Sequence, residues 1–164
     1  MMDNSKQLST LLQMLQESLV QKNDILTKIE AKSKAQAELI AKPDVTLEEL
    51  DRNMDEKAAL IARIMKLDSG FESLYDNIRK DLLGHKDEYK EQIAQIQKLI
   101  EKVMEKSASI EALEARNKTA IETMLRQQKK DLQHQKNASS VARHYYKATN
   151  KLNYVNPQFL DQKF

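Results

Sequence analysis

Apolar residues that recur in alternating steps of four and three tie a chain to one kind of structure. Here they run Leu8, Leu12, Leu15, Leu19, then through Lys22 to Leu26 and Ile29, and through Ser33 and Gln36 to Ile40. Such steps keep side chains on one face of an α-helix, and a seam this long is stable only when another helix covers it. A second seam follows: Leu47, Leu50, Met54, Lys57, Ile61, Ile64, Asp68, Phe71, Tyr75, Ile78, Leu82. A third runs Tyr89, Ile93, Ile96, Ile100, Val103, Ser107, Ile110, Glu114, Asn117, Ile121, Met124. The chain holds only 2 Gly and 2 Pro among 164 residues, with 40% apolar and 32% charged. So few turn formers mean few and long helices. The expected fold is all-α: an elongated, up-down-up antiparallel three-helix coiled coil over residues 1–134, followed by a flexible, basic and aromatic C-terminal tail over residues 135–164.

The ends of the helices are marked locally. Helix 1 is expected from about residue 5 to 41, where Lys42-Pro43-Asp44-Val45 stops it, because proline disfavours the α conformation in the residue before it. Thr46 and Glu49 then have the spacing of a capping box, and Val45 and Leu50 flank it as a hydrophobic staple. The second turn has two candidates: Asp68-Ser69-Gly70, or Gly84-His85. The seam stays in phase through residues 68–70 and slips between Tyr89 and Ile93, which favours the break at 84. That choice gives two helices of about 38 residues, roughly 57 Å each.

Aligning the three seams gathers the large apolar residues at the end that holds the N-terminus and residues 84–85. The opposite end carries Ala31, Ala35, Ala37, Ala58, Ala59, Ala62, Ala108, Ala112 and Ala115. It also sets Ser33, Gln36, Lys57, Ser107, Glu114 and Asn117 at seam positions. Close alanine packing with register-setting polar residues is one reading. An incomplete core that accepts a partner helix, bounded by Ile110, Ile121 and Met124, is the other. The methionines are expected to fill gaps in the seams.

The composition points away from catalysis, metals and cofactors. The chain has no cysteine, and His85, His134 and His144 are isolated. Two distant glycines make no phosphate loop. The chain is therefore expected to be neither an enzyme nor a cofactor binder. No apolar run approaches the length of a membrane span, and no signal-peptide core is present, so a cytoplasmic protein is expected.

The aromatics carry more information. Of eight, five lie in the last twenty residues: Tyr145, Tyr146, Tyr154, Phe159 and Phe164. From Lys129 onward seven Lys and Arg face only Asp131 and Asp161. Tyr145, Tyr146, Tyr154, Phe159 and Leu160 are candidate anchors for a protein partner, since aromatics dominate binding hot spots. The other reading is a tail folded back on its own bundle. Nucleic acid is a poor fit, because a few charges without a folded platform give weak phosphate binding.

Three stretches add a resemblance: Lys66-Leu67-Asp68-Ser69-Gly70-Phe71-Glu72-Ser73-Leu74-Tyr75, then Tyr89-Lys90-Glu91-Gln92-Ile93, then Tyr145-Tyr146-Lys147 with Tyr154-Val155-Asn156-Pro157-Gln158-Phe159-Leu160-Asp161. In these, in length and in helical layout, the chain resembles the FlgN family of flagellar export chaperones. The resemblance implies a cytoplasmic type III export chaperone. Such a protein binds the C-terminal helix of hook–filament junction proteins, masks it from premature polymerisation and hands the client to the export gate. It further implies that one tail tyrosine, Tyr145, Tyr146 or Tyr154, serves docking on that gate. The residues alone reach a helix-binding adaptor. They leave open a coiled-coil stalk or scaffold without a soluble client, and a self-associating structural protein such as a homodimer.

Overall fold

The computed structural model of the chain describes residues 4–128, which form three long α-helices with no strand among them. They are α1 (Asn4–Ala41), α2 (Leu47–Leu82) and α3 (Lys90–Gln128), with a short 3₁₀ helix at Lys86–Tyr89 leading into α3. The expected boundary at 134/135, and every candidate residue of the tail, lie outside the described residues.

Local chemistry accounts for each break. At the first, Val45 N–H reaches back to Lys42 O at 3.5 Å, across Pro43 and Asp44. The capping box then opens α2: Glu49 N–H donates to Thr46 Oγ1 at 3.2 Å, and Thr46 N–H donates to Glu49 Oε2 at 3.1 Å. Two amide groups that the first turn of a helix leaves unpaired are thereby satisfied. At the second break Leu83 has φ −59° and ψ 119°, and Gly84 has φ 88°. With His85 N–H bonded to Leu82 O at 3.0 Å, this is a type II turn, which needs a residue tolerant of positive φ at its third position. Asp68-Ser69-Gly70 stays helical throughout. The phase argument therefore chose between the two glycines, and the slip between Tyr89 and Ile93 is where the 3₁₀ turn gives way to α3.

The helices pack as a bundle around α1, whose backbone lies close to both α2 and α3. Between α1 and α2 the partner numbers run in opposite senses: Lys22 meets Asp68, Lys32 meets Glu56, Gln36 meets Lys57. Between α1 and α3 they rise together: Ser9 with Gln92, Glu30 with Lys106 and Ser109, Ser33 with Glu114.

The seams are the core. Leu12, Leu15, Leu26 and Ile29 of α1, Ile61, Ile64 and Ile78 of α2, and Ile96 and Ile110 of α3 are all buried in one cluster. Each such side chain contributes on the order of 1.5–3 kcal/mol by leaving water. Phe71 and Tyr75 stack within it, with ring centroids 6.3 Å apart. Beyond the polar residues a second, much smaller cluster holds Met54 and Ile121, with Ile40, Leu47 and Leu125 packed against it and partly exposed.

Two expectations need correction. The alanines do not pack between helices. Ala31, Ala37, Ala59, Ala62, Ala108, Ala112 and Ala115 are exposed, and only Ala35 and Ala58 are half-buried. They fall outside the 3–4 seam steps, where alanine favours the helix without filling space. The methionines do not all fill gaps either. Met54 is buried, but Met14, Met65 and Met104 are 37–50% exposed.

Candidate functional site: a buried polar layer and the apolar surfaces beside it

Polar residues at seam positions on three helices meet in one layer. Lys57 of α2, 1% exposed, sends its Nζ to Glu114 Oε1 of α3 at 2.6 Å and to Gln36 Oε1 of α1 at 2.8 Å. Ser33 Oγ donates to the same Glu114 oxygen at 2.6 Å. Asn117 Nδ2 donates to Ser33 O at 2.9 Å and to Gln36 Oε1 at 3.0 Å. The two donors converging on Gln36 Oε1 fix which way its amide points. The consequence is that Gln36 Nε2 is buried with no hydrogen-bond partner among the described residues. Asn53, beside the layer, donates to Lys32 O at 3.1 Å, and its own Oδ1 has no partner among the described residues.

A second charged pair sits within the large apolar cluster. Lys22 Nζ lies 2.7 Å from Asp68 Oδ1, with the lysine side chain 4% and the aspartate 15% exposed. Burial pulls both Lys22 and Lys57 below the ordinary lysine range, and the facing carboxylate only partly restores them. Burial likewise pushes Asp68 up, against the pull of Lys22.

Buried ion pairs of this kind are weak stabilisers compared with apolar packing, because desolvation consumes most of the attraction. Their chemistry is positional. A slide of α2 along α1 by one heptad would set Lys57 level with Ile29, or carry it the other way beyond Ala41, and in both cases away from Glu114 and Gln36. A polar group at a seam position fixes register in this way.

The sequence-derived site residues fall in different places. Ile110 is fully buried in the large cluster, and Ile121 is 2% exposed in the small one. A partner reaches either only by displacing this chain's own packing. Met124 is half-buried near the small cluster's level of α3. Tyr145, Tyr146, Tyr154, Phe159 and Leu160 lie outside the described residues. The seam reading did locate Ser33, Gln36, Lys57, Glu114 and Asn117, which the structure joins. It placed Ser107 with them, but Ser107 is half-buried and makes none of the layer's bonds.

Sequence reasoning missed a second apolar stripe. Leu60, Leu67 and Leu74 recur every seventh residue on α2, half-buried against the large cluster, and Ile25 on α1 is 4% exposed beside them. Leu67, Leu74 and Ile25, with Phe71, line an open groove between α1 and α2, about 590 Å³ in volume and lined by no residue of α3. Gly70 lies in that groove, between Leu67 and Leu74. Lys28, Arg63 and Lys66 also line it, against Asp24 as the one carboxylate. A heptad repeat at one further position was the signal that could have found this stripe.

Among the described residues no group of three or more His, Asp or Glu is close enough together to hold a metal ion. None of the described helices is long and apolar enough to cross a membrane. No protein-family model, curated protein or solved structure matches this chain.

Proposed function

We propose that this chain is a non-enzymatic, helix-binding protein: a cytoplasmic type III export chaperone. Its client is the C-terminal helix of a flagellar hook–filament junction protein, which it keeps from polymerising until the export gate takes it. In this reading the body is an up-down-up antiparallel coiled coil, and its far end is an unfinished core.

The observation that carries the reading is the interruption of the core. Past the layer of Lys57, Glu114, Gln36 and Asn117, the buried apolar residues among those described are Leu50, Met54 and Ile121, far fewer than in the large cluster. Ile40, Leu47 and Leu125 around them remain partly exposed. An apolar rim on a helical bundle fits the apolar face of one more helix, read out at i, i+3, i+4 and i+7. The basic segment with Tyr145, Tyr146, Tyr154, Phe159 and Leu160 continues the chain from α3 at that same end. Aromatic anchors there would close over the bound helix, and one of the tyrosines would serve the gate. The flagellar assignment is supported by the sequence resemblance. The helix-binding assignment is supported by the rim.

The test is co-purification of the full chain with hook–filament junction proteins, each intact or lacking its C-terminal helix. A one-to-one complex that needs that helix is expected, weakened at least tenfold by Leu125→Glu. A chain that forms only oligomers of itself, and ignores every such client, would instead make it a self-associating scaffold.

A further inference from the structure

The α1–α2 groove around Gly70 is remote from the unfinished end: Leu67 lies 13 residues along α2 from Met54, roughly 20 Å of helix. Its glycine does not serve the fold of this chain. A glycine inside a helix costs about as much as any residue but proline. It is tolerated where a positive φ or a close contact requires it. Gly70 has neither need. Its φ is not positive, and a Cβ built on it meets nothing within 4 Å. The absent side chain instead leaves a notch in an apolar stripe, between Leu67 and Leu74 and facing Ile25.

The groove is also charged on one side of the balance. Lys28, Arg63 and Lys66 make no hydrogen bond or ion pair with any described residue. Stepping back along α1 by the same spacing from Ile25 leads through Gln21 and Ser18 to Met14, which is 50% exposed.

We propose that this groove is a second docking surface, and that its occupant is an amphipathic helix of another protein with acidic residues flanking its apolar stripe. The apolar face lies on the half-buried Leu67 and Leu74, above the buried Ile25, and its backbone comes closest over Gly70. The acidic flanks meet Lys28, Arg63 and Lys66. Charge decides against the chain's own C-terminal segment as occupant, since residues 129–164 carry seven Lys and Arg against two Asp. The inference goes beyond the client-binding end and does not depend on which client that end takes.

The probe is a labelled synthetic helix of about 18 residues, with leucines at i, i+3, i+4 and i+7 flanked by glutamates, titrated into the full chain. Its isomer with lysines in place of the glutamates is the control. The acidic peptide should bind at least tenfold tighter, and added salt should narrow the gap. Gly70→Leu should weaken it at least tenfold while raising the melting temperature, because the notch is filled by a better helix former with room to stand. Arg63→Glu with Lys66→Glu should abolish the preference for the acidic peptide. Methyl signals of Ile25, Leu67 and Leu74 should shift on binding. Equal affinity for both peptides, no binding, or shifts confined to Met54 and Ile121 would overturn the proposal. So would contacts from Leu67 methyls to Tyr145 or Tyr146 in the dilute free chain, which assign the groove to the chain itself. A dimer dissolved by Gly70→Leu would overturn it in favour of a second copy.

Discussion

Lys57 shows how much one side chain is asked to do in this body. It is buried in a layer where its ammonium has two acceptors, and Glu114 has both Lys57 and Ser33 as donors. Lys57→Met takes from the buried carboxylate of Glu114 the countercharge of Lys57 and is expected to cost about 3–5 kcal/mol in urea unfolding, as removal of one partner of a buried pair does. Adding Glu114→Leu should recover most of that loss, while NMR spectra of the double variant show more than one register. The pH dependence has a definite sign. Burial holds Lys57 below the 10.5 of the unfolded chain. Between the lowered value and 10.5 the unfolded state binds more protons, so this group's contribution to stability rises with pH across that window. The stability gap between the wild type and Lys57→Met should therefore widen from neutral pH toward pH 10.5. A constant gap would mean that Lys57 keeps its ordinary affinity for its proton.

At the scale of the helices, the two glycines make opposite predictions. Gly84 holds φ 88° in a type II turn, so Gly84→Ala should destabilise by about 1–2 kcal/mol. Gly70 is helical with open space beside it, so Gly70→Ala should stabilise by about 1 kcal/mol. Thermal unfolding of both variants checks the pair at once. Nothing in the residue type distinguishes them; the distinction was legible because the seam keeps its phase past Gly70 and loses it after Gly84. The same steps marked the polar positions that became the buried layer, since Ser33, Gln36, Lys57, Glu114 and Asn117 all sit on seams. The groove was not legible by that route. A helix with two neighbours buries more than two positions per heptad, so Leu60, Leu67 and Leu74 belong to a stripe beside the seam and not on it. The outward-facing alanines were misread for a related reason: a small apolar residue off the seam carries no packing information.

Across the whole molecule, stability should be uneven. One end of the body has the large cluster; the other has the polar layer and the few residues of the small cluster. Backbone amides near Ile40, Met54 and Ile121 should therefore exchange with solvent faster than those near Leu15, Ile64 and Ile96, in a native-state hydrogen-exchange series. Equal protection from end to end would remove the physical basis for an unfinished core. The layer also sets an order of events. During synthesis the α1–α2 pair is complete, with Lys22–Asp68 and Lys57–Gln36 ready to form, well before Glu114 has been made. Until it arrives, the ammonium of Lys57 lacks the negative charge that accompanies it into the interior, so the nascent hairpin closes firmly at one end and stays wet at the other. Translation itself thus decides when the two ends of this body become equally closed.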